Sequence, residues 1–368
     1  MKIVLAGQLN HDNMGDALMA LIYAKTILTE GHDVFLCEAS EVMHKRLADE
    51  GLTLSNVGRS FNKSDIDLCV FIGGGYFGQP DITWFRWQMN FMRRKYFQDI
   101  ATNCIQKDIP YVVCGVEIGP LTGPFMRRIV RGILANAQYV VARNEESRIF
   151  SAKNLGIKTS KLSDVVLGNV PPVISEGSAR KKYELGIHLT QKLLRKNILS
   201  ARIWNTLEAW IRNHDIRRVV LVRDQELPGG EKSRVTELVN FILRSKNGIV
   251  CDFVDFARIS QLLETLSRTK ILVTTKLHCG VTAYGYGNQA ICIGSHPKII
   301  RFYRDIGMEE NYLNYYWFSK RHFWESCDKI YRLFKSNDGI LKRQREESLA
   351  NLVGLKQYIQ TLSGINPS

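Results

Sequence analysis

The stretch ILVTTKLHCGVTAYGYGNQAICIGSHPK (271–298) contains two short apolar runs separated by a segment long enough for a helix. The runs ILVTT and QAICIG are apolar on both faces, which is typical of buried strands in a parallel sheet. Between them, Gly280, Gly285 and Gly287 allow a helix to lie close to its neighbours. The stretch therefore predicts a strand, a helical crossover and a second, parallel strand.

The same alternation runs through most of the chain. One helical stretch begins at Asp16, and a second, longer one extends from about Thr83 to Ile105. Strand-like runs that end in glycine or polar residues are KIVLAG, HDVFLCEA, DLCVFIGGG, YVVCGVEIG and QYVVARN in the first half, and LGIHLT, RRVVLVRD, IVCDFVDF, ILVTT and QAICIGS in the second. Parallel strands joined by helices predict two doubly wound, Rossmann-like α/β domains, which would face each other across a cleft.

A polar, proline-bearing stretch, GNVPPVISEGSARKKYE (168–184), interrupts the alternation and predicts a linker between the domains. We therefore expect an N-terminal domain over residues 1–172, a C-terminal domain over 173–335 and a C-terminal helical tail over 336–368. The segment from Tyr312, YLNYYWFSKRHFW, is also interpreted as helical. Its aromatic residues would pack onto the core or, as the alternative, form a patch that contacts a membrane.

Length and composition indicate an ordinary globular protein with two domains. The chain has 368 residues, of which 45% are hydrophobic and 23% charged, and no run approaches about 18 uninterrupted apolar residues. The start, MKIVLAGQ, lacks the features of a signal peptide, so we interpret it as the first buried strand of a cytoplasmic protein. The eight cysteines are scattered singly without CxxC spacing, which favours buried thiols over disulfides or a metal site.

The net charge is strongly positive. Fifty Lys and Arg residues against thirty-six Asp and Glu residues give +14, which attracts nucleic acid, anionic lipid or acidic small substrates. The basic residues occur in small groups, without a long basic block or a nucleic-acid motif, so we expect no nucleic-acid partner. A solubilising surface, an acidic substrate and a membrane face remain the alternatives.

Ligands of open α/β sheets bind outside the carboxyl ends of the strands, and several polar segments follow predicted strands. In NHDNMGDALM (10–19), Asn13, Gly15 and Asp16 indicate either a plain helix cap or an anion or sugar hydroxyl held at the helix start. In FIGGGYFGQP (71–80), the three glycines indicate either a flexible loop or backbone amides turned toward a ligand. It is neither a Walker A loop nor a GxGxxG fingerprint.

Further candidates follow the later strands. Glu117 in CGVEIGPLTGP could hydrogen-bond sugar hydroxyls, and Arg143 in ARNEESRIF could bind a carboxylate or phosphate, unless it pairs with Glu145 or Glu146. Asp164 is placed similarly on weaker grounds. Lys276 and His278 stand at a strand end and SHPK (295–298) follows one strand later, which predicts an anion site in which a histidine gives up a proton.

In this order, the segments resemble the polysaccharide pyruvyl transferase family. Its pattern runs as N-x-G-D, G-G-G, G-x-x-x-G-P, R-[DN]-E-x-S, an aspartate after the next strand, and R-x-H followed by P-K. The resemblance covers about residues 1–305. The matching positions are Asn13–Asp16, Gly73–Gly75, Gly115–Pro120, Arg143–Ser147, Asp164, and Lys276–His278 with Gly287, Ile293 and Pro297-Lys298.

The resemblance implies a fold similar to the glycosyltransferase-B architecture and transfer of a pyruvyl group from phosphoenolpyruvate to a sugar, with formation of a cyclic ketal. His278 would be the general acid. The residues that would bind the donor are Lys276, Lys298, Arg143 and Ser295, and those that would face the acceptor are Asn13, Asp16, Gly74, Gly75 and Glu117. We expect no metal and no cofactor beyond the donor substrate, a sugar or lipid-linked oligosaccharide as acceptor, and optional contact with the inner membrane face.

Two departures from the family pattern concern the donor. Lys276 stands where the family usually has arginine, which keeps the charge and loses bidentate geometry. After GIHLT, where relatives often carry an arginine, this chain has Thr190, Gln191 and Lys192, with His188 upstream. Two rival functions therefore stay open: a nucleotide-sugar glycosyltransferase of the same fold, and a non-catalytic binder of polyanions or membranes.

Overall fold

The chain forms two units. The first contains Met1–Asp12, Asp16–Asn169 and the residues from Arg343, and the second contains Val170–Lys342 together with Asn13–Gly15. The computed structural model describes residues 1–78, 84–121, 123–172, 182–194, 197–224, 232–245, 248–254, 258–333 and 338–364.

The first unit is built on a parallel sheet covered by helices. Its strands are β1 (Lys2–Ala6), β2 (Asp33–Cys37), β3 (Ser55–Val57), β4 (Leu68–Phe71), β5 (Gly74–Phe77), β6 (Tyr111–Ile118), β7 (Tyr139–Ala142) and β8 (Ser160–Lys161). Its helices are α1 (Met14–Thr29), α2 (Glu41–Ala48), α3 (Trp84–Gln106), α4 (Pro124–Ala135), α5 (Glu145–Phe150) and α6 (Val165–Asn169), with a π-helical turn at Ser151–Leu155. The sheet order is β3-β2-β1-β4-β6-β7-β8, and β5 pairs with β6.

The second unit repeats this plan. Its strands are β9 (Tyr183–His188), β10 (Arg218–Val222), β11 (Val250–Val254), β12 (Thr269–Thr274), β13 (Gln289–Gly294) and β14 (Tyr312–Asn314). The remaining helices among the described residues are α7 (Gln191–Leu194), α8 (Ile198–Asn213), α9 (Lys232–Ser245), α10 (Ile259–Ser267), α11 (Leu277–Gly285), α12 (Pro297–Asp305), α13 (Lys320–Leu333) and α14 (Asp338–Leu362), with a 3₁₀ turn at Glu309–Asn311. The strands are parallel in the order β11-β10-β9-β12-β13-β14.

Both sheets confirm the predicted doubly wound α/β class. The chain moves outward from β1 through β2 to β3 and then returns to place β4 on the other side of β1, and β9 to β12 repeat this order. Every residue of β4, β6 and β13 is buried, because helices cover both faces of a parallel sheet. The order reverses between β1 and β4 and between β9 and β12, and such switch points are where ligands of open sheets bind.

The structure corrects three details of the sequence analysis. The segment from Tyr312 begins as an edge strand on β13 rather than as a helix, and α13 starts only at Lys320. The predicted linker is shorter than expected, since Gly168 lies in α6 and Tyr183 in β9. Residues 173–181 of that linker lie outside the described residues. The glycines after β4 do not form an open loop, because Gly74 begins the buried strand β5.

The C-terminal helix α14 is anchored on the first unit at α6. The Ser348 hydroxyl accepts a hydrogen bond from the Gly168 N–H at 2.8 Å and lies 2.7 Å from the carbonyl oxygen of Asp164. The Asn351 amide donates to the carbonyl of Ser163 at 2.6 Å. A Cβ on Gly168 would lie 2.5 Å from the carbonyl oxygen of Arg345, so this contact requires a glycine. These bonds explain why the residues from Arg343 group with the first unit.

The cysteines are mostly buried thiols, as the sequence predicts. Seven of the eight thiols are buried and Cys251 is partly exposed, and all eight are free. None of the helices in the described part of the chain has both the length and the apolar character that a membrane crossing needs.

Candidate active site

Four adjacent strands of the second sheet carry polar side chains at their carboxyl ends. The sheet order sets β10, β9, β12 and β13 side by side. His188 ends β9, while Asp224, Lys276 and Ser295 follow β10, β12 and β13. The switch point between β9 and β12 is therefore flanked by His188 and Lys276.

Lys276 forms a short ion pair with a buried carboxylate. Its Nζ lies 2.6 Å from Oδ2 of Asp224. The Asp224 side chain is 2% exposed, whereas that of Lys276 is 30% exposed. Burial alone would raise the pKa of the Asp224 carboxyl, but His188 and Lys276 outweigh burial and hold this pKa below its ordinary value. Asp224 therefore remains an anion that fixes the ammonium group of Lys276.

His188 occupies the other side of the same carboxylate. Its Nε2 lies 3.0 Å from Oδ1 of Asp224, as a close contact rather than an aligned hydrogen bond. Its Nδ1 lies 3.0 Å from the hydroxyl oxygen of Thr274, which accepts the backbone N–H of Lys276 at 3.1 Å. Just beyond the ends of β9 and β12, the hydroxyl oxygens of Thr190 and Thr275 are 2.6 Å apart. The ends of β9, β10 and β12 are thus held in one polar network.

The sequence analysis did not name Asp224 as a site residue. Its signal was present, because Asp224 directly follows the apolar run of RRVVLVRD at a strand end. His188 had been noted only as an upstream neighbour of a missing arginine. In the structure both are buried: Asp224 pairs with Lys276, and His188 contacts Asp224.

The same network brings together three groups of metal-ligand type. His188, Asp224 and Cys279 place one ligand atom each within 4.8 Å of one another, and all three residues are buried. The Lys276 ammonium already neutralises Asp224 and would repel a cation placed there. Burial raises the pKa of the Cys279 thiol well above its ordinary value, which disfavours the thiolate that a metal prefers. We therefore interpret the cluster as an ion-pair network.

His278 is the second residue of α11, two positions after the cap residue Lys276. The residue is 9% exposed. Its ring lies against Gly15, which belongs to the same unit: a Cβ on Gly15 would be 1.9 Å from Nδ1 of His278. The side chain of Asn13 accepts the Gly15 N–H at 2.9 Å and so caps the start of α1, within the segment that the sequence predicted as a helix cap. Asn13, Gly15 and His278 are therefore parts of one local arrangement in the second unit.

Ser295 and Lys298 lie in the turn from β13 to α12. His296 caps this helix, with its Nδ1 3.3 Å from the backbone nitrogen of Lys298, and Pro297 occupies the first helical position. Both candidate donor residues are half-buried. The structure thus places Ser295 and Lys298 on the same sheet edge as Lys276 and His278, one strand away.

Arg143 and Glu117 lie together in the first unit. The guanidinium of Arg143 is 2.5 Å from Glu117 and 3.5 Å from Asp164, and these three side chains are at most 5% exposed. Burial alone would lower the pKa of Arg143, but Glu117 and Asp164 raise it above its ordinary value, with a smaller contribution from Asp16. The alternative of a pair with Glu145 does not apply, because Glu145 pairs with Arg148. This packing favours an indirect role in which the buried pair fixes strand ends; direct contact with donor or acceptor stays a prediction.

Gly73 and Gly74 are explained by close packing. A Cβ on Gly73 would lie 2.7 Å from the sulfur of Met19, and one on Gly74 would lie 2.8 Å from the ring of Tyr76. Gly74 also has a φ of 152°, which side chains rarely adopt. Strand β5 pairs with β6 and is buried throughout. The assignment of Gly74 and Gly75 to the acceptor therefore stays a prediction.

Solved structures of other proteins share the fold of this chain. No curated protein matches the chain in sequence. S. aureus MnaA, in a co-structure with UDP, has a TM-score of 0.62 and 10% identity over 99% of this chain and 98% of that chain. The UDP-GlcNAc 2-epimerase of Methanocaldococcus jannaschii gives 0.62 and 10% over 96% and 100%. Anabaena HepE in complex with UDP and glucose gives 0.54 and 13% over 99% and 100%. At such identities the likeness concerns the fold alone.

A match to a protein family covers the candidate site residues as well. Residues 13–297 match the polysaccharide pyruvyl transferase family. This range is more than half of the 368 residues, and it includes Asn13, Gly15, Asp224, Lys276 and His278. The chain belongs to the polysaccharide pyruvyl transferase family.

Proposed function

We propose that the protein transfers a pyruvyl group from phosphoenolpyruvate to a sugar of a cell-surface or exopolysaccharide precursor and forms a cyclic ketal. The observation that carries this proposal is the family match over residues 13–297. The Lys276–Asp224 pair beside His278 supports it, because it joins a fixed cation to an imidazole on one sheet edge. In this proposal the second unit binds the donor and the first unit binds the acceptor.

The proposed reaction assigns His278 the role of general acid. The imidazolium donates a proton to the terminal enol carbon of phosphoenolpyruvate, and C2 becomes electrophilic. A sugar hydroxyl adds to C2. The bond between C2 and the phosphate oxygen then breaks, phosphate leaves, and a second sugar hydroxyl closes the ring. Of the two hydroxyl protons released, one returns to His278 and one leaves with phosphate. The products are the ketal and inorganic phosphate.

Lys276 and Lys298 would stabilise the donor's negative charge. A lysine ammonium acts as a point charge on phosphate or carboxylate, without the bidentate geometry of arginine. Since Asp224 already fixes the ammonium of Lys276, that ammonium is oriented before the donor arrives. Ser295 would add a neutral hydrogen bond from the next strand.

The test of this function is phosphate release from phosphoenolpyruvate with and without a pyruvylatable glycan. We expect release that depends on the glycan, and turnover reduced by about 100-fold or more in His278→Ala, the scale typical of a lost general acid. Lys276→Ala should also lower turnover, whereas Lys107→Ala, at an exposed position after α3, should leave it unchanged. Full turnover in His278→Ala would show that this histidine is not the acid.

The rival glycosyltransferase function has its own expected result. If UDP or GDP sugars raise the melting temperature and phosphoenolpyruvate does not, glycosyl transfer replaces pyruvyl transfer as the proposed function. The nucleotide-sugar enzymes among the solved structures do not decide this question, because their likeness is restricted to the fold.

We also propose peripheral contact with an anionic membrane, as suits a lipid-linked acceptor. Tyr316 and Trp317 follow β14 and are 61% and 84% exposed, and the Arg321 side chain in α13 is 89% exposed. Aromatic and basic side chains together favour the interface of anionic bilayers. We expect cosedimentation with phosphatidylglycerol vesicles that Trp317→Ala weakens and that phosphatidylcholine vesicles do not support. Equal sedimentation of both proteins would remove this surface from the proposal.

A further inference from the structure

A pocket of about 310 Å³ lies within the first unit, at the carboxyl ends of β1 and β2. Gln8, Asn10 and His11 from the segment after β1 form one side, and α3 forms the other. The pocket therefore lies next to the switch point between β1 and β4, where a ligand of an open sheet is expected. None of the residues that line it was predicted from the sequence to be a site residue.

Two arginines line this pocket, and they differ in their partners. Arg59 contacts Glu38 at 3.0 Å and Asp99 at 3.6 Å, so acidic side chains neutralise it. The half-buried guanidinium of Arg93 has no hydrogen bond or ion pair with any of the residues that the structure describes. Burial lowers the pKa of Arg93, and Asp16 opposes this effect only from a distance. A partly desolvated cation of this kind is stabilised by an anionic ligand.

The wall that α3 forms also carries apolar side chains. Met89 and Met92, on α3 beside Arg93, are 51% and 65% exposed although both are large hydrophobic residues. Methionine side chains adapt to irregular apolar surfaces of a ligand. The amides of Gln8 and Asn10 can hydrogen-bond hydroxyl or phosphate oxygens. The pocket thus combines the Arg59–Glu38 ion pair, a second cation in Arg93, neutral polar groups and adaptable apolar side chains. The second cation suits a phosphate joined to a larger group better than a neutral sugar.

We propose that this pocket binds the phosphate of a sugar-phosphate acceptor, with Arg93 as the group that contacts the anion. The inference rests on the proposed function, because it specifies the acceptor class of that reaction: sugars linked to phosphate or diphosphate rather than neutral glycans. Phosphoenolpyruvate shares the phosphate chemistry and is the competing source of the anion.

The experiment measures binding to the full chain by calorimetry, with glucose 1-phosphate, inorganic pyrophosphate, methyl glucoside and phosphoenolpyruvate as probes. We expect both phosphate probes to bind and methyl glucoside to bind at least about tenfold more weakly, since a charge-assisted contact is lost. Arg93→Met should weaken both phosphate probes by about tenfold or more and leave phosphoenolpyruvate unchanged. Lys107→Met, which removes an exposed cation after α3, should change none of the four.

The outcomes separate this inference from the proposed function. Equal affinity of Arg93→Met and the parent protein for the phosphate probes, or no binding of these probes to the parent, would overturn the inference. Weaker binding of phosphoenolpyruvate alone would assign the pocket to the donor and also overturn it. Pyruvyl transfer to a neutral glycan would leave the proposed function standing while this inference fails. Circular dichroism melting of Arg93→Met confirms that the compared proteins are equally folded.

Discussion

Gly15→Ala is expected to lower turnover about as much as His278→Ala does, on the order of 100-fold or more. The reason is steric. A Cβ on Gly15 would lie 1.9 Å from Nδ1, 2.5 Å from Cγ and 2.9 Å from Cβ of His278, so the imidazole has to leave its position. The proposed acid would then no longer lie where the proton is needed, although its chemistry is unchanged.

The measurement pairs phosphate release with urea unfolding. Gly132→Ala, in α4, is the matched control, because a Cβ there meets no atom within 4 Å. It should raise stability by roughly 0.5–1 kcal/mol, as an alanine in place of a helical glycine does, and leave turnover unchanged. In the His278→Ala background, Gly15→Ala should cost much less stability than in the parent, since most of the clashing atoms are gone. Additive costs in the double variant would show that the two residues do not meet.

Asp224→Asn is expected to destabilise the second unit by about 2–4 kcal/mol at neutral pH, because it removes one partner from a buried ion pair. The carboxylate is in contact with Lys276 at 2.6 Å and with His188 at 3.0 Å, and an amide replaces neither attraction. Asp108→Asn is the control, since it disrupts an exposed pair with Lys63 and should change stability little. We also expect kcat to fall while KM for the donor does not rise, because the charge of Lys276 remains and only its position is lost.

The pH dependence of this difference follows from the direction of the pKa shift. Asp224 has a pKa below its ordinary value in the folded protein, so its stabilisation is complete above the ordinary value of about 3.9 and is lost as pH falls below it. The gap in unfolding free energy between parent and Asp224→Asn should stay constant from pH 7 to 5. Below pH 4 it should shrink by up to about 1.4 kcal/mol per pH unit. A gap that is the same at pH 3.5 and pH 7 would contradict a depressed pKa.

Sequence patterns were sufficient for the fold class because buried parallel strands are apolar on both faces. The strands of both sheets follow the predicted runs, from KIVLAG to QAICIGS. The sequence patterns missed β3 and β8 and were misinterpreted at β5 and β14, all of which are short edge or side pairings. The glycines of β5 were interpreted as a loop and the aromatic residues of β14 as part of a helix. Both segments form strands because they pair with β6 and β13.

A site residue was predictable where it follows a strand and no nearby residue in the sequence offers it another partner. Lys276, His278, Ser295 and Lys298 do share one sheet edge in the structure. The contact between Gly15 and His278 was not predictable, because 263 positions separate them and neither residue type requires the other. The pairing of Arg143 with Glu117 was missed for the same reason, since the nearer Glu145 offered a simpler partner in the sequence.

The return of α14 to α6 reverses the usual order in which domains mature on the ribosome. Residues 170–342 emerge before the segment that completes the first unit, so the second unit can close while the first still lacks its last helix. Domains that are contiguous in sequence generally fold in the order of synthesis. Here the unit that begins translation should be the one that finishes folding last, and a chain released after residue 342 would have a protease-sensitive first unit and a resistant second one.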